Sequence, residues 1–182
     1  GSYFQQKILE QWARDDDAAA GHWLDQQSQD LQDKYRPTLI KAWATEDPQG
    51  ALAWCQEHLE DPTAYQTALK SLINGALEGD LTKASELLPK IPDLIHQQTI
   101  LQRVASTRFT PNKEGEISAA SIDWIRDLGN TPLGGKAIEA ASYNWTSYDP
   151  EGMKAFFEED RDFNYPISAY NQLIKNLIAN DP

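Results

Sequence analysis

The sequence predicts an all-α fold, a right-handed α-α superhelix (solenoid) of about five helix pairs plus a terminal helix, and three observations carry that prediction. A motif recurs through the 182 residues, starting near positions 12, 43, 76, 108, 145 and 178, at steps of 31, 33, 32, 37 and 33 residues. A period of about 33 residues suits a unit of two helices and a turn. The motif itself carries helix-start chemistry: Asp accepts backbone N–H bonds as an N-cap, and Pro suits the first helical position. No segment shows the apolar–polar alternation of a strand.

The elements follow in order. Trp12-Ala13-Arg14-Asp15-Asp16, with Ala19, Trp23 and Leu24 after it, separates a helix over 3–14 from one over 16–28. Trp43-Ala44-Thr45-Glu46-Asp47-Pro48, followed by Ala51 and Trp54, separates helices over 37–45 and 48–59. Ala76-Leu77-Glu78-Gly79-Asp80-Leu81, with Ala84 and Leu87, divides 62–78 from 81–88. The most degenerate copy, Arg108-Phe109-Thr110-Pro111 with Ile117, Ala120 and Trp124, divides 92–108 from 116–128. Trp145-Thr146-Ser147-Tyr148-Asp149-Pro150, with Met153 and Phe156, divides 132–146 from 150–159. Ile178-Ala179-Asn180-Asp181-Pro182 closes a last helix over 166–180.

A residue before proline is pushed out of the α region, so each Asp-Pro marks a helix that has already ended. Pro37, Pro62, Pro92, Pro132 and Pro166 read as openers of the first helix in successive pairs. Two such helices carry a clear buried stripe at i, i+3, i+4 spacing. One runs through Tyr65, Ala68, Leu69, Leu72, Ile73, Ala76 and Leu77, the other through Tyr170, Leu173, Ile174, Leu177 and Ile178. The Trp residues recur at equivalent positions, which places them in the core rather than in an exposed groove.

Twenty-eight acidic residues against 16 basic ones give a formal charge of −12. Nucleic acid is excluded as a partner because no basic stripe exists to displace counterions. The same field disfavours anionic membrane surfaces. No apolar run approaches the ~18 residues of a membrane span. A basic or neutral protein or peptide is the expected partner, and no cofactor is expected. Cys55 is the only cysteine, so no internal disulfide forms. Gly1-Ser2 reads as a cloning remnant, residues 3–182 as one repeat domain, and Asp181-Pro182 as an interrupted motif, so a fragment of a longer soluble protein is expected, cytoplasmic or periplasmic.

The Trp-Ala-x-x-Asp-Pro-x-x-Ala-x-x-Trp pattern, seen whole in residues 43–54, resembles tetratricopeptide-like, Sel1-like and HEAT-like α-solenoid repeats, especially α-helical repeats of bacterial proteins. The strict tetratricopeptide consensus is not matched: there Trp comes early in the first helix and Pro closes the second, whereas here Trp closes the first and Pro opens the second. The resemblance implies a stacked array that binds proteins or peptides; the alternative is an architectural spacer or an accessory helical domain of a larger protein, enzymes included.

Candidate chemistry is sparse. His22, His58 and His96 lie in different repeats, none at the spacing of a metal ligand pair. Cys55 has one local base, His58 at i+3, and reads as a small buried thiol. The acidic run Glu158-Glu159-Asp160-Arg161-Asp162 lacks the alternating ligands and central Gly of a calcium loop and reads as a solvated helix end. Asn144-Trp145-Thr146 fits a glycosylation sequon but falls at an expected buried helix end. Gly134-Gly135 opens a helix without the flanks of a phosphate loop.

The candidate binding surface is a row on the first helix of each pair. Positions two and six before each motif start are four apart and share one face. They read Gln6 and Glu10, Pro37 and Lys41, Lys70 and Asn74, Gln102 and Ser106, Glu139 and Tyr143, Gln172 and Asn176. Amide-rich rows of this kind can bond an extended peptide backbone as donor and acceptor. The central six, Lys70, Asn74, Gln102, Ser106, Glu139 and Tyr143, are the candidate binding residues; no catalytic or metal-binding residue is assigned.

Overall fold

The computed structural model describes residues 2–161 and 163–180, which form α-helices, one 3-10 turn and connections, with no strand among them. The helices are α1 (Ser2–Asp15), α2 (Asp17–Asp25), α3 (Gln29–Glu46), α4 (Pro48–His58), α5 (Pro62–Glu78), α6 (Leu81–Ser85), α7 (Leu94–Arg108), α8 (Ala119–Leu128), α9 (Pro132–Tyr148), α10 (Pro150–Glu159) and α11 (Ile167–Asn180). The chain divides into two compact units, Gly1–Ile100 and Leu101–Pro182.

At three of its copies the motif builds a one-residue turn, whereas two residues separate α5 from α6 and a longer connection separates α7 from α8. Asp16, Asp47 and Asp149 each end one helix and cap the next, at φ/ψ of −149°/81°, −134°/81° and −144°/67°. Their N–H groups donate to the carbonyls of Trp12, Trp43 and Trp145 at 2.8, 2.9 and 2.7 Å. Their carboxylates accept from the N–H groups of Ala19, Gly50 and Gly152 at 3.0, 3.0 and 2.9 Å. One side chain thus satisfies donors that a helix start leaves open. Across each turn two aromatic rings meet with nearly the same geometry. Trp12–Trp23, Trp43–Trp54 and Trp145–Phe156 have centroids 5.9, 6.2 and 5.2 Å apart and planes tilted by 57°, 53° and 56°.

In the first unit the most extensive helix contact joins α3 to α5. Its closeness depends on glycine: a Cβ on Gly75 would stand 2.1 Å from the Lys41 carbonyl oxygen, and one on Gly79 2.2 Å from that of Thr45. Leu39, Ile40, Leu52, Leu69, Leu72 and Leu87 fill the interior between these helices. In the second unit Trp145 is enclosed by Phe109 at 4.9 Å and Phe156 at 5.2 Å between ring centroids. Ile125, Ile138 and Met153 complete that core.

Several expected boundaries are corrected. Pro37 does not open its helix: α3 begins eight residues earlier, with Pro37 inside it. The added turns are held by one tertiary contact and one pair within the helix. Tyr35 is buried and donates its hydroxyl to Gln5 Oε1 at 3.1 Å, and the buried Arg36 bonds Asp33 at 2.9 Å. The hydrogen bonds that Asp33 accepts from Arg36 and Gln29 hold its carboxyl below its ordinary value. Pro62 and Pro132 do open α5 and α9, whereas Pro92 and Pro166 precede the first residues of α7 and α11. The helix expected over 81–88 stops at Ser85, and a 3-10 turn follows at Leu88–Lys90. The stripe on α5 is buried as expected from Ala68 to Ala76, with Tyr65 and Leu77 half-buried. The stripe on α11 is not: Leu173 is buried, but Ile174 and Ile178 are 51% and 70% exposed. Among the described residues no element covers that side. Asp181 and Pro182 of the last motif lie outside the described residues.

Candidate functional site

The register that places Trp12, Trp43 and Trp145 at helix ends also fixes where the polar row points. Lys70 and Asn74 on α5, Gln102 and Ser106 on α7, and Glu139 and Tyr143 on α9 are all exposed. Within each helix the pair lies one turn apart, as the spacing requires. The equivalent residues Gln6, Glu10, Pro37, Lys41, Gln172 and Asn176 are half-buried.

Row residues border concavities in both units. In the first, Glu10 and Lys41 line a groove of about 250 Å³ between α1, α3 and α5, with Lys7, Arg14 and Glu78. Lys7 Nζ lies 2.7 Å from Glu10 Oε2, and Lys41 Nζ 2.7 Å from Glu78 Oε1. The hydrogen bond that Lys7 donates to Glu10 raises the Lys7 pKa above its ordinary value. Arg14 lines the same groove and makes no ion pair among the described residues. Lys70 and Asn74 are not part of this wall.

In the second unit Glu139 lines a cavity of about 550 Å³ at the starts of α9 and α11, with Asn130, Thr131, Lys136, Asn164 and Tyr165. Ser168 Oγ donates to Glu139 Oε1 at 2.9 Å, and the Asn164 N–H donates to Asn130 Oδ1 at 2.8 Å. Ser106 is tied to α9 through its carbonyl, which accepts from Asn144 Nδ2 at 3.3 Å. Tyr143 stands 69% exposed. The row therefore meets the cavity at Glu139, while Gln102, Ser106 and Tyr143 lie beyond its walls. Asn130, Lys136 and Asn164 escaped the sequence reading. Two of them sit in the loops before α9 and α11, outside any helical register; their only sequence signal is the Asn-Thr-Pro turn at 130–132.

No family model, curated protein or solved structure matches the chain.

The remaining candidates resolve as structural groups. Cys55 is fully buried, and burial pushes its thiol up to about 12. His58 turns elsewhere: its ring stacks on Trp54 at 4.8 Å, Nδ1 lies 3.0 Å from the Trp54 carbonyl, and Nε2 lies 3.5 Å from Asp25 Oδ2. The two do not form a nucleophile–base pair. His22 meets Gln26 at 3.0 Å and His96 meets Asp93 at 3.0 Å. Among the described residues no three His, Cys, Asp or Glu side chains gather as metal ligands would. In the acidic run, Glu159 and Asp160 bond Arg126 at 3.0 and 3.5 Å, and Asp162 lies outside the described residues. Asn144 of the sequon is half-buried and already engaged with Ser106. No described helix is long and apolar enough to cross a membrane.

Proposed function

We propose that the chain is a non-enzymatic scaffold that binds a protein or peptide along the first helices of a helical-repeat array. The recurrence of one turn geometry at Asp16, Asp47 and Asp149 supports the repeat reading. Stacked units of this kind generate a right-handed superhelix whose concave face is lined by one helix of each pair. The observation that carries the binding role is the polar row, exposed at its six central residues, whose members Glu10, Lys41 and Glu139 border polar concavities in both units. Within each unit the row offers donors and acceptors to an extended segment, Lys70 and Asn74 in the first and Gln102, Ser106, Glu139 and Tyr143 in the second. The charge of −12 favours a basic or neutral partner through steering rather than through any single ion pair.

The test is affinity capture with the parent chain and with a variant carrying Lys70→Ala, Asn74→Ala, Gln102→Ala and Tyr143→Ala. These side chains are exposed, so the variant should keep its helical circular dichroism and thermal midpoint. Loss of a partner that the parent retains supports the row as the binding surface. Retention of the same partner by the folded variant overturns the surface, and a parent that captures nothing specific favours a spacer with no ligand of its own.

A further inference from the structure

The aromatic pair is packed shut at two of its three turns and open at the first. Trp43 and Trp54 close over Gly21 of α2, where a Cβ would stand 3.3 and 3.1 Å from their rings. Trp145 and Phe156 are closed in by Phe109. Trp12 and Trp23 are only half-buried and face a cavity of about 280 Å³, lined by Gln5, Ile8, Leu9, Trp12, Trp23 and Tyr35. Tyr35 supplies a third ring, 6.1 Å from Trp23 and tilted to it by 55°, while Trp12 is tilted to Trp23 by 57°. Trp23 is thus inclined to both Trp12 and Tyr35, and all three rings line one pocket. The Tyr35 hydroxyl is turned to Gln5 Oε1 at 3.1 Å, so its polar atom is satisfied.

We propose that this pocket is a binding site for a small, free quaternary ammonium compound of the choline class. Ring faces carry the negative end of the aromatic quadrupole and attract a cation placed over them. Ammonium groups already collect on rings at this end of the chain: Lys34 Nζ lies 5.0 Å from the Tyr35 centroid, and Lys7 Nζ 5.7 Å from that of Tyr3. Residues 1–35 hold seven acids and three bases, so the local field favours a cation. No carboxylate lines the cavity. A compact, strongly hydrated ammonium would lose its water there without an ion pair in return, whereas an alkylated ammonium loses little and gains apolar contact with Ile8 and Leu9. The volume lies near the low end for ligand pockets and suits a head group rather than a long chain.

The test compares choline with 3,3-dimethyl-1-butanol, which has the same shape without the charge. Indole N–H resonances of Trp12 and Trp23, assigned with single Trp→Phe variants, are followed in heteronuclear spectra as each compound is added. The expected result is a saturable choline-dependent shift at Trp12 and Trp23, with affinity about tenfold or more above that of the neutral compound. Trp23→Leu, checked for unchanged helicity, should lower choline affinity about tenfold, while Trp124→Leu should not. Equal affinity for the two compounds overturns the proposal in favour of a plain apolar pocket, and so does the absence of a saturable shift. The comparison on the unaltered protein decides the matter even if Trp23→Leu fails to fold.

Discussion

Gly50 and Gly75 both occupy places where a Cβ would collide, yet their substitution should have opposite effects. At Gly50 the obstacle is Asp47 Oδ2, at 2.1 Å, the end of a side chain that can turn. Ala19 stands at the same offset from Asp16 and still receives its cap bond at 3.0 Å, the distance found at Gly50. Gly50→Ala should therefore leave stability unchanged or raise it by up to about 1 kcal/mol, the helix preference of Ala over Gly. At Gly75 the obstacle is the backbone carbonyl of Lys41. Gly75→Ala must push α5 away from α3 and should cost about 1–3 kcal/mol. Urea unfolding of the two variants side by side checks the contrast; a stable Gly75→Ala would show that the two helices have room to separate. Cys55 obeys a similar local rule. Its thiol is raised to about 12 by burial, so the protonated form is the one favoured by folding. That contribution is intact below the ordinary thiol range and is lost as pH rises from there toward the folded value. At about pH 8 a thiol reagent should label Cys55 only after denaturant is added, since exposed thiols already ionise near ~8.5. Rapid labelling of the folded chain would contradict the burial.

At the scale of elements, the one-residue turn concentrates its stability in one carboxylate. Asp47→Ala removes the acceptor for the Gly50 N–H and should cost about 1 kcal/mol, within the ~0.5–2 kcal/mol range of cap deletions. Asp149→Ala should behave alike, because its dihedrals and cap distance match. Thermal melts of both variants test this, and unequal losses would mean that the shared geometry does not carry shared energetics. These turns were legible in the sequence because Asp-Pro and the residues beside it act within one helical turn. The start of α3 was not. Pro37 carries the local signature of a helix opener, whereas the contact of Tyr35 with Gln5 of α1, which holds the turns in front of it, joins residues 30 apart in the chain. Inside α3, Pro37 offers no N–H to the Asp33 carbonyl. Pro37→Ala restores that donor and should stabilise the chain by about 1 kcal/mol, less than the full ~3 kcal/mol of an interior proline because the unfolded chain also gains freedom. A lower melting temperature for Pro37→Ala would show that the proline's rigidity outweighs the missing bond. The site divides in the same way. The exposed row is a matter of register and could be counted from the Trp positions. The second unit's cavity joins Asn130 to Asn164, 34 residues apart in the chain, which no periodicity announces. The Trp residues, read uniformly as core, separate into Trp43, Trp54 and Trp145 inside and Trp12, Trp23 and Trp124 half-exposed.

Over the whole molecule, the excess of acid sets the response to salt. Apart from that of the buried Arg36, the ion pairs among the described residues include surface pairs such as Lys7–Glu10 and Lys41–Glu78, whose lysines are 54% and 45% exposed. Each such pair contributes about 0–1 kcal/mol, and salt weakens it. Against them stands the self-repulsion of a chain with a net charge of −12, which salt relieves. With 28 acids against 16 bases, negative charge exceeds positive by twelve, so repulsion should win. The melting temperature at about pH 7 should therefore rise as sodium chloride goes from about 0.02 to about 0.3 M, as the screening length shrinks below the spacing of the surface charges. Near pH 4.6, where the net charge vanishes, the same addition should change little or even lower it. A second effect opposes the gain from discharging the surface. Asp93 caps α7 through the His96 N–H at 2.9 Å, and that bond lowers its pKa below the ordinary carboxylate value. Its contribution is present above the ordinary carboxylate range and disappears as pH falls through the depressed folded value. Acidification should thus first remove repulsion and then, at lower pH, remove caps, giving a stability maximum on the acid side of neutrality. A melting temperature that falls steadily from pH 7 downward, or that falls with salt at pH 7, would mean that attractive pairs outweigh the net charge.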